Sequence, residues 1–196
     1  MKDFTLLIVD CQNDYTSPDG KMHIEKSDKA ISNICKFIVK NKENINRIIF
    51  ACDNHSPKHR SFRKNGGEWP EHCIENTFGS KINSELVKTC KDLKLDYFVL
   101  NKGEVDNFEE YSASMYSEHL DGAFVLKTAT DSRCVYTDDI VVCGMPGDVG
   151  VKATLEDLSK QLSPQNVYIY LNGVVSLDGN NEIMRFLEDN VDVQIL

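Results

Sequence analysis

The sequence predicts an α/β protein: a three-layer α/β/α sandwich around a mostly parallel sheet. Three observations carry this. The chain opens on a continuous apolar run, FTLLIV at 4–9, and such a run suits a strand buried on both faces. Apolar runs recur at 46–52, 97–100, 139–143, 166–171 and 191–196, with amphipathic stretches between several of them. Strand and helix in alternation imply βαβ units, parallel pairing and right-handed crossovers.

Each element has its own signal. In residues 28–42, Ile31, Ile34, Phe37 and Ile38 fall on one helical face, as expected of a crossover helix. The run at 46–52 completes the first βαβ unit. A polar loop with several Gly and Pro follows, and then 79–93 reads as a helix with Ile82, Leu86 and Leu93 inward. After the strand at 97–100, residues 105–116 are polar and loop-like. Two short β-prone pieces in 123–136 read as an inserted hairpin or an irregular crossover, so 105–136 is treated as an irregular insertion. The strand at 139–143 breaks into a Gly/Pro-rich turn, and a helix begins near Asp148 or Val149. A strand at 166–171, a short helix at 180–189 and a final strand at 191–196 complete the chain. Residues 1–196 read as one domain, of a length that buries a full core.

Composition narrows the function. A hydrophobic fraction of 41% and a charged fraction of 27% are those of a soluble globular protein. No apolar run has the length of a membrane span, and the N-terminus lacks the basic-then-apolar pattern of a signal peptide. A net charge of -9 argues against nucleic acid and anionic membranes as partners. Seven cysteines without a C-x-x-C pair suit reduced thiols in a cytoplasm.

The chemistry-bearing residues gather where a parallel sheet would place its strand ends. Asp10 ends the first strand, and a carboxylate there is either ligand chemistry or a turn former. Asp53 and His55 leave the second strand two residues apart, so in an extended exit both point the same way. With His72, they make a set that suits a divalent metal with open positions, or else a polar loop capped by the Asp. Lys102 lies just beyond the third strand, either solvated or paired with Asp10. The 144–150 turn adds free helix N–H groups at the same edge. Their convergence predicts a pocket.

In order, LLIVDCQNDY, CDNHSP, EWPEHCIENTFGS, NKG with YSAS, and VVCGMPGDVGVKAT resemble the successive motifs of the nicotinamidase/isochorismatase-like cysteine hydrolases, over most of the chain. The resemblance is strongest to the metal-binding nicotinamidase (pyrazinamidase) branch, which carries both D-x-H and W-P-x-H-C. It implies a six-stranded α/β sandwich and a triad of Asp, Lys and nucleophilic Cys, of which Asp10 and Lys102 match the first two. It also implies Asp53, His55 and His72 as ligands of zinc, with manganese or iron also accommodated. Tyr15 and Trp69 match pocket aromatics, and a nicotinamide-like small molecule is the implied ligand. Members often self-associate, so a homo-oligomer is compatible.

Two departures stand out. The nucleophile position is Gly150, which offers no thiol, hydroxyl or amine. The position that helps form the oxyanion hole is Pro146, which has no N–H to donate. Loss of one such donor costs about 100- to 1000-fold in rate. A proline there predicts a cis Met145–Pro146 bond. Cys11, Cys73 and Cys143 lie elsewhere and read as inert fillers. Three readings follow: a metal- and carboxamide-binding protein without thiol-dependent hydrolysis, an active amidohydrolase using metal-bound water with Asp10 as base, and a structural or interaction subunit with a vestigial site.

Overall fold

A computed structural model of the chain describes residues 3–120, 123–135, 137, 139–162 and 166–196. Six strands form one sheet in the order β3-β2-β1-β7-β8-β9, and every neighbouring pair is parallel. They are β1 (Phe4–Val9), β2 (Ile45–Asp53), β3 (Tyr97–Lys102), β7 (Asp139–Gly144), β8 (Val167–Val174) and β9 (Gln194–Ile195). All six residues of β1 are buried, as its unbroken apolar run requires. Helices α2 (Ser27–Asn41) and α3 (Ser84–Leu93) cross between the strands on one side of β1. Helices α4 (Lys152–Gln161) and α5 (Asn181–Asp189) cross between those on the other. Because the strand order reverses direction at β1, right-handed crossovers put the two helix pairs on opposite faces. Ile31, Ile34 and Ile38 of α2 are buried, and Phe37 stacks on Tyr170 of β8 at 4.3 Å between ring centroids.

The insertion builds a second, antiparallel sheet of β4 (Glu118–Leu120), β5 (Ala123–Lys127) and β6 (Ser132–Val135). The hairpin alternative is therefore the one adopted, with residue 136 outside the described residues. It leans on the main sheet through Arg47, which donates to the Cys134 carbonyl, and Thr128, which donates to the Asn101 carbonyl.

Three expectations are corrected. Helix α3 starts at Ser84, five residues late, because 79–83 is bound elsewhere. Asn13 N–H donates to Lys81 O, Asn83 N–H donates to Cys11 O, and Ile82 bridges Gln12 instead of lining the helix. Asn83 then caps α3 by accepting from Glu85 N–H. Strand β3 runs on to Lys102, placing that lysine inside the sheet opposite Asp53. The last strand is only Gln194–Ile195. Between β7 and α4, the Met145–Pro146 peptide is cis and Gly147–Val151 form a π-helical turn.

Candidate functional site

The reversal of strand order beside β1 opens a crevice at the C-terminal ends of the strands, the position where open α/β sheets bind ligands. The cavity there is walled by all nine residues singled out from the sequence, together with Met22, Glu109, Glu110, Tyr111 and Val149. Its free space is about 20 Å³, room for about one water. A ring-sized ligand therefore needs a wall to shift.

Lys102 sits at the centre. Its Nζ lies 2.9 Å from Asp10 Oδ2 and 2.6 Å from Asp53 Oδ1, and all three side chains are buried. Burial works against each charge, so the pairing decides where each proton resides. Desolvation would lift Asp53, but Lys102 and His55 outweigh it and hold that carboxyl well below its ordinary range. Desolvation and the neighbouring Asp53 charge push Asp10 up to about 8, Lys102 notwithstanding. Near neutral pH the trio thus holds one cation, one anion and one protonated acid. Asp10 Oδ1 has no hydrogen-bond partner among the described residues.

Beside this trio, Asp53, His55 and His72 place ligand atoms all within 4.8 Å of one another. Asp53 Oδ2 is 3.7 Å from His55 Nε2 and 3.8 Å from His72 Nε2. Donors each about 2.1 Å from one ion lie no more than about 4.2 Å apart, so both separations fit a common metal. Each ring is oriented through its other nitrogen: His55 Nδ1 meets Gly103 O at 2.7 Å, and His72 Nδ1 meets Pro70 O at 2.8 Å. With Nδ1 donating to a carbonyl, Nε2 keeps its lone pair for a metal. Burial lowers the His72 pKa; at His55 the Asp53 carboxylate outweighs burial and raises it. The donor set and its orientation fit a divalent ion.

Tyr15, expected as a pocket aromatic, lines the cavity and also donates its hydroxyl to Asp53 Oδ2 at 2.6 Å. Trp69 also lines the cavity and donates Nε1–H to Tyr111 Oη at 3.1 Å. Tyr111 was visible only as part of the YSAS motif, with no role attached. Glu110 takes Gly103 N–H and Ala129 N–H on its two oxygens, fixing the segment that carries the His55 acceptor. No pattern in the sequence distinguished it. His59 is fully buried against His55, but both its nitrogens are engaged, with Ser61 Oγ and Phe108 O.

At the other end, a Cβ on Gly150 would stand 2.7 Å from Asp10 Oδ2 and 3.3 Å from Val9 Cγ1. A side chain at residue 150 therefore requires the Asp10 carboxyl to shift. Burial raises the thiol pKa of Cys11, Cys52, Cys73 and Cys143, and none of these four lines the cavity.

Residues 4–161 match the isochorismatase domain. The chain is 27% identical over 180 aligned positions to a nicotinamidase of Saccharomyces cerevisiae, covering 76% of this chain and 78% of that protein. Among solved structures it resembles a zinc complex of Pyrococcus horikoshii pyrazinamidase, with a TM-score of 0.73 at 24% identity over 99% and 98% of the two chains. It also resembles the yeast nicotinamidase bound to the inhibitor nicotinaldehyde, with a TM-score of 0.78 at 21% identity over 100% and 99%. At these identities the two structures agree with the chain in fold.

Proposed function

The chain belongs to the isochorismatase domain family, and from that premise we propose a nicotinamidase-like protein that binds a divalent metal and a small aromatic carboxamide without thiol-dependent hydrolysis. The observation that carries this is one cavity in which an oriented Asp53–His55–His72 set and a buried Asp10–Lys102 pair surround a residue with no nucleophile, Gly150. The ligand set suits zinc first, with manganese and iron also accommodated. A metal held there would act as a Lewis acid on the ligand. Trp69 and Tyr15 would flank an aromatic ring, and protonated Asp10 would donate a hydrogen bond to a carboxamide oxygen. The zinc-bound relative supports the metal, and the nicotinaldehyde-bound one supports the ligand class.

The alternative of hydrolysis by metal-activated water would use Asp10 as the base; in the metal-free chain, burial and the Asp53 charge favour the protonated form of that carboxyl. A vestigial site is disfavoured because each metal-facing side chain keeps its orienting partner. The same reading takes residues 1–196 as a single cytoplasmic domain, with its seven cysteines unpaired and self-association open to test.

The deciding experiment measures ammonia release from nicotinamide, and nicotinamide binding by calorimetry, with zinc, manganese or iron. The natural protein should bind one metal and nicotinamide and release no ammonia. Gly150→Cys should gain turnover, held down about 100- to 1000-fold by Pro146. Turnover by the natural protein would overturn this reading in favour of metal-activated water. Absence of both metal and ligand binding would leave a structural role.

A further inference from the structure

Three consecutive side chains after β1 are used in a way the cavity chemistry does not require. Gln12 is fully buried. Its Nε2 donates to Asp53 O at 2.7 Å and to Ser80 O at 2.8 Å, and its Oε1 accepts from Asp53 N–H at 2.8 Å. The β1–β2 ladder ends at Val9 opposite Ala51, with Asp10 N–H donating to Ala51 O. Asp10 then turns away at φ 50°, leaving Asp53 beyond the last rung on that side. The Gln12 carboxamide supplies the missing rung. The carboxamide offers a donor and an acceptor in one plane at any ordinary pH, and the longer Gln chain spans the gap.

The next two residues hold the other half of the ligand set. Asn13 Nδ2 donates to Phe78 O at 2.9 Å. Asp14 Oδ2 accepts from Cys73 N–H at 2.7 Å, and its Oδ1 from Lys21 N–H at 3.1 Å. Cys73 follows the ligand-facing His72 and sits at φ 45°, a left-handed conformation that persists in a non-glycine residue only where its surroundings hold it. Gly79 makes the hold feasible, since a Cβ there would lie 2.0 Å from Asp14 Oδ2. The backbone follows suit, with Asn13 N–H on Lys81 O and Asp14 N–H on Gly79 O.

We propose that Gln12, Asn13 and Asp14 form a template that sets the metal-ligand geometry before a metal arrives, with Gln12 as the principal positioning residue. The inference rests on the metal-binding reading above. Asp53 and His72 reach the cavity from different segments, and this tripeptide is bonded to the Asp53 backbone and to the Cys73 N–H next to His72. A rigid support of this kind governs affinity, and loss of such outer contacts typically costs 10- to 100-fold.

The test loads cobalt(II) and reads both affinity, by chelator competition, and the ligand-field spectrum, which reports coordination geometry. Gln12→Leu should lose about 10- to 100-fold in affinity and change the spectrum. Ile38→Ala is the control: it truncates a buried residue of α2 at the far end of the sheet and should lower stability while leaving affinity and spectrum as they were. If Gln12→Leu does not fold, Gln12→Asn, one methylene short, should show the same loss. Natural affinity and spectrum in either Gln12 variant would overturn the template alone. A natural protein that takes up no cobalt would overturn the metal reading and the template together.

Discussion

The two ends of the cavity are built to different standards. At the metal end, each donor has a second partner: Gly103 O behind His55, Pro70 O behind His72, and Lys102, Tyr15 and Gln12 on Asp53. Around residue 150, Gly150 has no side chain, Pro146 has no N–H, and Asp10 Oδ1 is unpartnered among the described residues. The contrast has a physical root. Removing a thiol from a helix start strands no buried charge, and glycine and proline are both at home in the turn after β7. Removing Asp53 would leave the buried Lys102 with Asp10 as its one remaining carboxylate partner. Asp53 is tied into the fold by buried side-chain hydrogen bonds, whereas Gly150 and Pro146 have no side-chain donor or acceptor to lose.

The largest test of that asymmetry is Asp53→Ala in metal-free protein. Lys102 would keep one of its two carboxylates, and breaking a buried pair typically costs about 3–5 kcal/mol. Urea unfolding measures the loss. A change below about 1 kcal/mol, the scale of a surface ion pair, would mean that Lys102 finds water, and the two ends would then be equally dispensable.

Gly150→Ala probes the glycine side of the cavity. The added Cβ would meet Asp10 Oδ2 at 2.7 Å, and overpacking costs about 1–3 kcal/mol. A neutral outcome would show that the Asp10 carboxyl swings aside freely and that the space once suited to a side chain is still available.

Much of this architecture was legible. The apolar runs at 4–9 and 46–52 suit buried strands, and strand ends in a parallel sheet bring Asp10, Asp53 and Lys102 to one edge whatever lies between. What was hidden was set by tertiary bonding. Helix α3 starts late because residues 79–83 are already bonded to the segment after β1, a demand no local propensity records. Lys102 read as either solvated or paired with Asp10; it is buried and pairs with both Asp10 and Asp53, because β3 runs two residues further than its apolar run suggests. Glu110 and Tyr111 come from a polar stretch without periodicity, so their place in the wall had no local signal beyond a motif.

The two carboxylates also predict opposite pH signatures. Asp10 is raised from its ordinary 3.8 to about 8 by burial and by Asp53. The folded chain therefore binds a proton across that range while the unfolded chain does not. Its stabilising contribution is complete below about pH 4 and is lost as pH rises through about 8. Asp53, held well below 3.8 by Lys102 against burial, contributes stability above about pH 4 that is lost as pH falls. Between pH 5 and 8 the natural protein should lose stability relative to Asp10→Asn, at no more than about 1.4 kcal/mol per pH unit. Parallel urea profiles for the two proteins would place Asp10 in an ordinary carboxylate environment and restore it as a candidate base.

The smallest effect bears most directly on whether the nucleophile has moved elsewhere. Burial raises the pKa of Cys11, Cys52, Cys73 and Cys143, and pushes Cys90 up to about 11. A thiol of this kind is protonated near neutral pH and presents no reactive thiolate. Cys35 and Cys134 are half-buried and more accessible. In the folded protein, a disulfide reagent should label these two slowly and the other five only on unfolding. One fast thiol among Cys11, Cys52, Cys73 and Cys143 would identify a displaced nucleophile and cancel the contrast between the two ends. Slow labelling throughout, set against a faster new thiol in Gly150→Cys, would locate the missing reactivity at residue 150 itself.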